Sequence, residues 1–244
     1  MSPMKIIFLF YIIIFSSKCS SESSILDMLK RFLQNHVDND VFISFIEVVR
    51  HMNKHNFPDN FNKNKEAFKN HALAIKRNRG FIEDQNNYKD MSYGIKTLSE
   101  NGCGCIATYN VIYHLTNQLD INFPSIIKAL EDDGIILSGV FGTSMKAIDD
   151  YLRSQNFRTW SSSKKEDYDK IGEATDASIL TVYNSVEDIT RGIHFMAITK
   201  TNGKYYVHNN GNSPSTAFNS ISDVLNRING GKAKDIYLTG VYKP

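Results

Sequence analysis

The hydrophobic pattern of this 244-residue chain changes once along its length, and that change limits the folds open to it. Up to about Leu152, apolar residues recur at three- and four-residue steps, which is the period of an amphipathic helix. Beyond that point apolar and polar residues alternate, as they do in half-buried strands. The alternating segments are residues 178–183, 193–199, 204–208 and 236–242. Helices followed by antiparallel strands predict an α+β domain in which the two kinds of element form separate layers.

Turn and cap residues set the ends of several of these elements. A glycine-rich turn at residues 102–104 leads into one helix, and a short helix over residues 125–131 ends at Gly134. Residues 142–144, Gly-Thr-Ser, are typical of an N-cap and predict a further helix after them. Residues 202–203, Asn-Gly, separate two of the strands and predict a tight hairpin.

The region before this domain differs in its hydrophobic pattern and composition. Residues 25–55 carry two sets of helically spaced apolar residues, and the polar cluster at 38–40 predicts the break of a helical hairpin. Residues 53–90 are rich in Asn, Lys and Asp, and predict an irregular stretch with one short helix at most. We therefore divide the chain into a helical segment over residues 20–90, acting as a propeptide-like regulator or a lid, and a main domain over residues 91–244.

The first 19 residues predict a leader. Lys5 precedes ten uncharged, apolar residues at 6–15, about half of the roughly 20 that a membrane-spanning helix needs. A small-residue stretch follows, which is typical of a secretory signal peptide and predicts a secreted or extracytoplasmic protein. An uncleaved anchor, or lipidation of Cys19, are the alternatives, although Lys18 is unfavourable for the second. No later stretch has spanning length, so we expect no membrane contact beyond the leader.

Charge and cysteine content narrow the function classes. The chain has 28 Lys+Arg against 26 Asp+Glu, and a net charge of +2 gives no support for nucleic-acid binding. Three cysteines, at 19, 103 and 105, are too few for a disulfide framework and have the wrong spacing for a zinc finger. We predict neither a cofactor nor a metal.

The segment with the clearest chemistry surrounds Cys103. A cysteine between two glycines at the start of a helix lies near unpaired main-chain N–H groups and the positive end of the helix dipole. Both effects predict a lowered thiol pKa and a reactive thiolate. The flanking glycines Gly102 and Gly104 allow a substrate to approach the backbone closely.

A thiol nucleophile needs a base, and the hairpin after the Cys103 helix supplies one. His194 lies at the start of an alternating strand, where its imidazole can project toward the start of a facing helix. Pairing of the two strands about the Asn-Gly turn returns the second strand beside His194. Either Asn209 or Asn210 can then hold the imidazole in its productive tautomer.

Other cysteine and histidine residues offer alternatives. Cys105 lies about 200° around the helix from Cys103, so the two thiols point apart, and Cys105 is the alternative nucleophile. His114 is three helical turns from Cys103 and His208 alternates away from Asn209 on its strand. We therefore interpret both histidines as structural.

These residues together resemble the papain-like cysteine peptidases, and most closely the double-glycine peptidases that process bacteriocin leaders. Gly102-Cys103-Gly104 before Ile106-Ala107 is similar to the nucleophile turn of that family, and the segment 142–158 is similar to its Gly-Thr helix and the following strand. His194-Phe195 and the hairpin ending at Asn209 are similar to its histidine strand and the residues after it. The resemblance covers about residues 91–242. It implies a papain-like fold with helices packed on an antiparallel sheet, Cys103 as nucleophile, His194 as base and Asn209 as orienting residue.

The chain also departs from the family pattern. Asn209 stands where that family has Asp, and a neutral amide can still fix the histidine tautomer. The Gln expected about six residues before the nucleophile, an oxyanion-hole donor, is Thr97 here. Asn101 is the candidate that replaces it, and loss of one such donor costs about 10²–10³ in rate.

The function predicted from the sequence is therefore a thiol-dependent amide hydrolase, a cysteine peptidase acting on a peptide or protein substrate through a thioester. A transamidase or amidase with the same residues is one alternative. A catalytically degenerate binding module is the other, and Thr97 in place of Gln is the feature that favours it.

Overall fold

The computed structural model describes residues 38–52, 56–183, 193–210, 216–231 and 233–244. Helices and antiparallel strands within these residues make an α+β fold, as predicted. The predicted leader and the first part of the predicted helical hairpin lie outside the described residues. In the part of the chain that is described, no helix combines the length and the apolar character needed to cross a bilayer.

The helices and the strands are each numbered in the order in which they occur along the chain. The helices are α1 (Asn39–Met52), α2 (Asn60–Arg77), α3 (Leu98–Asn101), α4 (Cys103–Thr116), α5 (Phe123–Asp133), α6 (Met145–Ser154), α7 (Tyr168–Ala174) and α8 (Ile221–Arg227). The strands are β1 (Ser92–Tyr93), β2 (Lys96–Thr97), β3 (Thr159–Ser162), β4 (Ala177–Tyr183), β5 (Ile193–Thr201), β6 (Lys204–His208), β7 (Ala217–Phe218) and β8 (Lys234–Val241). Short 3-10 helices cover Gln85–Asn87, Leu137–Gly139, Lys165–Asp167 and Ile228–Gly231.

The main sheet is antiparallel, and its described strands run in the order β3-β8-β4-β5-β6-β7. The predicted hairpin between β5 and β6 is confirmed, and its turn residues Asn202 and Gly203 have φ values of 51° and 72°. Ala197 pairs with His208, so the chain beyond β6 runs back toward the start of β5. This register brings residues 209–210 to the end of the sheet that carries His194.

Both faces of this sheet are covered, which the sequence did not predict. On one face, Phe195 and Ala197 pack in the same core as α4. On the other face, Met196 and Ile198 pack with residues of α7 and α8, and β4 is consequently buried at all seven positions. The helices α7 and α8 have only seven residues each, too few to show a helical period in the sequence.

Helix α1 begins at Asn39, where the sequence predicted a break, and it belongs to the same core as α4. It buries an apolar stripe of Phe42, Phe45, Ile46 and Val49, each no more than 4% exposed. Its Arg50 bonds to Asp133 at the end of α5. The described half of the predicted hairpin is thus an integral layer of the domain.

Helix α2, with 18 residues, occupies the stretch in which the sequence predicted one short helix at most, so that prediction was wrong. Buried amides anchor it where an apolar stripe would otherwise be expected. Asn64, fully buried, donates to the Ser92 carbonyl at 2.9 Å and accepts from the Ser92 N–H at 2.7 Å, while Asn60 donates to the Gly94 carbonyl. An asparagine-rich pattern gives no helical hydrophobic period, so the sequence did not predict a helix of this length.

Candidate active site

The Cys103 thiol lies at a sharp junction between two helices. Helix α3 ends at Asn101, Gly102 follows, and α4 begins at Cys103 itself. Gly102 packs so closely on Leu98 that a Cβ there would lie 2.4 Å from the leucine side chain, and a Cβ on Gly104 would lie 2.9 Å from Thr143 Oγ1. The two glycines are thus required by close packing on both sides of the cysteine.

The surroundings of the thiol overturn the predicted lowering of its pKa. The side chain is almost entirely buried, and burial raises the pKa of the Cys103 thiol to about 11. Hydrogen bonds from the main-chain groups of Phe195, Gly104 and Cys103 lower the pKa, but by less than burial raises it. The helix start acts in the predicted direction and is outweighed, so the isolated thiol is neutral at physiological pH.

Cys105, the alternative nucleophile, lies on the other side of α4. It is fully buried beside Tyr93 and Glu131, and burial raises the pKa of its thiol well above the ordinary value. Both cysteines are free, so no disulfide joins them. Cys103 contributes to the lining of the cleft described below, whereas Cys105 does not.

His194 belongs to the same cleft as Cys103 and is already oriented. Its Nε2 lies 2.8 Å from the main-chain oxygen of Asn209. A carbonyl oxygen can only accept, so Nε2 carries the proton and Nδ1 carries the free lone pair. Burial lowers the pKa of the His194 imidazole, and the Asn209 carbonyl raises it by less. The imidazole is therefore neutral at physiological pH and is able to accept a proton at Nδ1.

The orienting group differs from the prediction in one respect. The sequence predicts that the side-chain amide of Asn209 holds the imidazole, but the main-chain carbonyl of the same residue does so. The Asn209 side chain instead accepts from the Gln85 N–H at 3.0 Å and donates to Gln85 Oε1 at 3.2 Å. Asn209 has a φ of 58°, in the left-handed region that asparagine tolerates better than most residues. Asn210, the alternative orienting residue, lines the same cleft.

The predicted oxyanion donor is unsuited to that role. Asn101 Nδ2 donates to the Gly139 carbonyl at 2.6 Å and to the Val140 carbonyl at 3.1 Å, which uses both of its hydrogens. Asn101 therefore fixes the loop at residues 139–140. Thr97, which replaces the expected Gln, accepts and donates with Glu100 in a capping box at the start of α3.

A cleft of about 440 Å³ surrounds Cys103 and His194. Its walls come from residues 84–86, residues 99–101, Cys103, residues 141–142, residues 193–195 and residues 209–210. The contribution of residues 84–86 was missed in the sequence, because they belong to an irregular polar stretch with no periodic signal. The nearest sequence signal was the Asp84 side chain, which caps the following 3-10 helix.

The histidines interpreted as structural have structural surroundings. His208 is buried, with Nδ1 2.7 Å from Glu83 Oε1 and Nε2 2.9 Å from Thr199 Oγ1, and its ring stacks on Phe81. Burial lowers the pKa of His114, and His114 does not line the cleft around Cys103 and His194. No group of three His, Cys, Asp or Glu side chains within the described ranges has the arrangement of a metal site.

No protein-family model matches the sequence, and no curated protein matches it. Among solved structures, the chain is similar to the peptidase domain of Streptococcus ComA, a bifunctional ABC transporter involved in a quorum-sensing pathway. The identity is 13% and the TM-score 0.38, over 58% of this chain and 91% of that one.

Proposed function

We propose that the protein is a papain-like cysteine peptidase that hydrolyses peptide or protein substrates through a thioester. The observation that carries the proposal is the hydrogen bond between His194 Nε2 and the Asn209 carbonyl. This bond fixes the tautomer whose Nδ1 can accept a proton, in the same cleft as the Cys103 thiol. Phe195, the neighbour of His194, lines the same cleft.

In the proposed acylation step, the Cys103 sulfur attacks the substrate carbonyl carbon while His194 Nδ1 takes the thiol proton. The carbonyl oxygen becomes an oxyanion in the tetrahedral intermediate. The C–N bond then breaks, the imidazolium donates its proton to the leaving amine, and a thioester remains on Cys103. The neutral thiol and neutral imidazole at rest fit a mechanism in which proton transfer accompanies attack.

In the proposed deacylation step, water replaces the departed amine. His194 Nδ1 takes a proton from the water as its oxygen attacks the thioester carbonyl, and the C–S bond breaks. The sulfur recovers the proton from the imidazolium, which releases a carboxylic acid and restores the free enzyme. Since the Asn101 amide is engaged elsewhere, we assign oxyanion stabilisation to the main-chain N–H groups at the start of α4.

We also propose that the enzyme acts outside the cytoplasm. The support for this is the uncharged apolar run at residues 6–15, preceded by Lys5 and followed by small residues. The proposed substrate in that compartment is a peptide or protein. The proposed reaction uses no metal or cofactor.

Alkylation by iodoacetamide at neutral pH tests the proposal, with the modified peptide identified by mass spectrometry. We expect rapid labelling of Cys103 in the wild type, slow labelling in His194→Ala and no labelling of that peptide at position 103 in Cys103→Ala. Cys105→Ala is the matched control and should label like the wild type. Equal labelling rates in the wild type and His194→Ala would contradict the proposal and favour a binding module.

A second measurement separates hydrolysis from transfer. A candidate peptide is incubated with the protein in the presence and absence of a small primary amine, and the masses of the products are determined by mass spectrometry. Hydrolysis gives a free carboxylic acid in both samples. A product that retains the amine would instead identify a transamidase that uses the same residues.

A further inference from the structure

Gln85 contacts both halves of the proposed active site. On the histidine side, its main-chain N–H donates to Asn209 Oδ1 at 3.0 Å and its Oε1 accepts from Asn209 Nδ2 at 3.2 Å. On the cysteine side, its Nε2 donates to the Ser99 carbonyl at 2.9 Å. Ser99 belongs to α3, which ends two residues before Cys103.

The pair of hydrogen bonds between Gln85 and Asn209 determines which group of Asn209 faces the histidine. With its amide oxygen and nitrogen both held by Gln85, the Asn209 side chain is turned toward residues 83–86. The carbonyl of Asn209 is then the group that reaches His194 Nε2 at 2.8 Å. One of these bonds joins the two side-chain amides, and the other joins the Gln85 main-chain N–H to the Asn209 amide oxygen.

A second contact supports the same segment. Glu83 Oε2 accepts from the Asn209 N–H at 3.4 Å, and Glu83 Oε1 is bonded to the buried His208. This longer bond restrains the main-chain nitrogen of Asn209, and the two hydrogen bonds to Gln85 restrain its side chain.

We propose that Gln85 is a positioning residue, which orients His194 through the Asn209 carbonyl and fixes it relative to the helix that leads into Cys103. This inference rests on the proposed function, because it assigns Gln85 a role in the same thiol–imidazole pair. Gln85 is 124 residues from Asn209 in the sequence and 18 from Cys103, so no local motif indicates it.

Alkylation by iodoacetamide isolates this role from oxyanion stabilisation. The Cys103 sulfur forms a bond to the methylene carbon, iodide leaves, and the thiol proton passes to His194. No carbonyl addition occurs, so a residue that served only as an oxyanion donor would leave this rate unchanged. The relevant quantity is the His194-dependent rate, defined as the rate of each chain minus the rate of the same chain carrying His194→Ala.

The variants are Gln85→Met, which keeps the length of the side chain, and Asn209→Gly, which removes the amide and retains a backbone suited to a positive φ. We expect each to lower the His194-dependent rate roughly tenfold. The double variant should be no slower than the slower single variant, because both substitutions remove the same hydrogen bond between Asn209 Nδ2 and Gln85 Oε1. Asn87→Ala, from the same 3-10 helix but without contact to Asn209, is the matched control and should keep the wild-type rate.

A spectroscopic readout accompanies the rate. In ¹⁵N-histidine spectra, the wild type should show His194 as the Nε2–H tautomer, and Gln85→Met should show a mixture of tautomers at an unchanged thermal midpoint. Wild-type rates and a single tautomer in Gln85→Met would overturn the positioning role while leaving the proposed function intact. Losses that add in the double variant would also overturn it, because the two residues would then act separately. No His194-dependent rate in the wild type would instead overturn the proposed function, and this inference with it.

Discussion

The imidazole of His194 is hydrogen bonded to the main-chain carbonyl of Asn209, and the asparagine side chain is bonded to Gln85. Asn209 therefore contributes to the site through two different groups. Its carbonyl requires only a backbone, whereas its amide requires a partner on a 3-10 helix that is distant in the sequence. The conformation of that backbone is a φ of 58°, which most residues with a Cβ adopt only with strain.

This conformation predicts opposite effects of two small residues at position 209. We expect Asn209→Ala to be less stable than Asn209→Gly by about 1 kcal/mol, because alanine is strained at positive φ and glycine is not. The free energy of unfolding in urea measures the difference. At Asn87, in a 3-10 helix, the same comparison should favour alanine over glycine. A more stable alanine variant at position 209 would contradict the left-handed conformation.

The raised pKa of Cys103 predicts the pH dependence of its alkylation. In His194→Ala, the rate should rise about tenfold per pH unit from pH 7 to 10, because the thiolate fraction of a group with a pKa of about 11 grows in that proportion. In the wild type, the His194-dependent part of the alkylation rate should increase with pH across the acidic range, because the imidazole loses its proton there. Its midpoint should lie below 6.5, since burial lowers the pKa of His194. An alkylation rate of His194→Ala that levels off by pH 8 would contradict the raised pKa of the Cys103 thiol.

The hairpin shows what the sequence can establish about the site. The Asn-Gly turn fixes the register of β5 and β6, and this register alone places residue 209 near His194. The glycines around Cys103 likewise mark a tight junction before a helix. Both signals are local, so a single sequence suffices to predict them.

Properties of the site that depend on contacts between distant residues could not be predicted from the sequence. The thiol pKa follows from how deeply Cys103 is buried, and burial is set by packing of α4 on β5. The partner of the Asn209 side chain is 124 residues away, in a stretch with no hydrophobic period. Asn101 appeared suitable as an oxyanion donor by its distance along the chain, but its amide is used by the carbonyls of residues 139 and 140.

The contact between α1 and α5 provides a test of how firmly the N-terminal helix is held. Arg50 is 8% exposed and bonds to Glu47 Oε2 and Asp133 Oδ2, both at 2.9 Å. We expect Arg50→Ala to lower the free energy of unfolding by about 2 kcal/mol, because it removes charged hydrogen bonds that are partly shielded from water. Urea denaturation measures the loss. Lys128→Ala, which breaks the exposed pair with Asp132, should cost less than about 0.5 kcal/mol. Equal losses in the two variants would show that burial of Arg50 adds nothing.

Removal of the helical segment predicts a larger effect. A chain that begins at Met91 lacks Ile82, whose N–H and carbonyl each bond to the fully buried side chain of Asn110 at 2.8 Å. It also lacks Gln85 and the apolar stripe of α1. An unsatisfied buried amide costs about 1–3 kcal/mol, and exposure of the surface beneath α1 adds to that loss.

We therefore expect residues 91–244 alone to show no cooperative thermal transition by circular dichroism, and no His194-dependent alkylation. A chain that begins at Asp38 is the control, because it keeps α1 and the contacts of residues 82–85, and its transition and alkylation rate are the reference for residues 91–244. A sharp transition and a wild-type alkylation rate in residues 91–244 would instead support the propeptide-like interpretation, in which the first 90 residues are removed from a domain that is complete without them. The packing favours the first outcome, since residues 83–85 bond directly to the segment that orients His194.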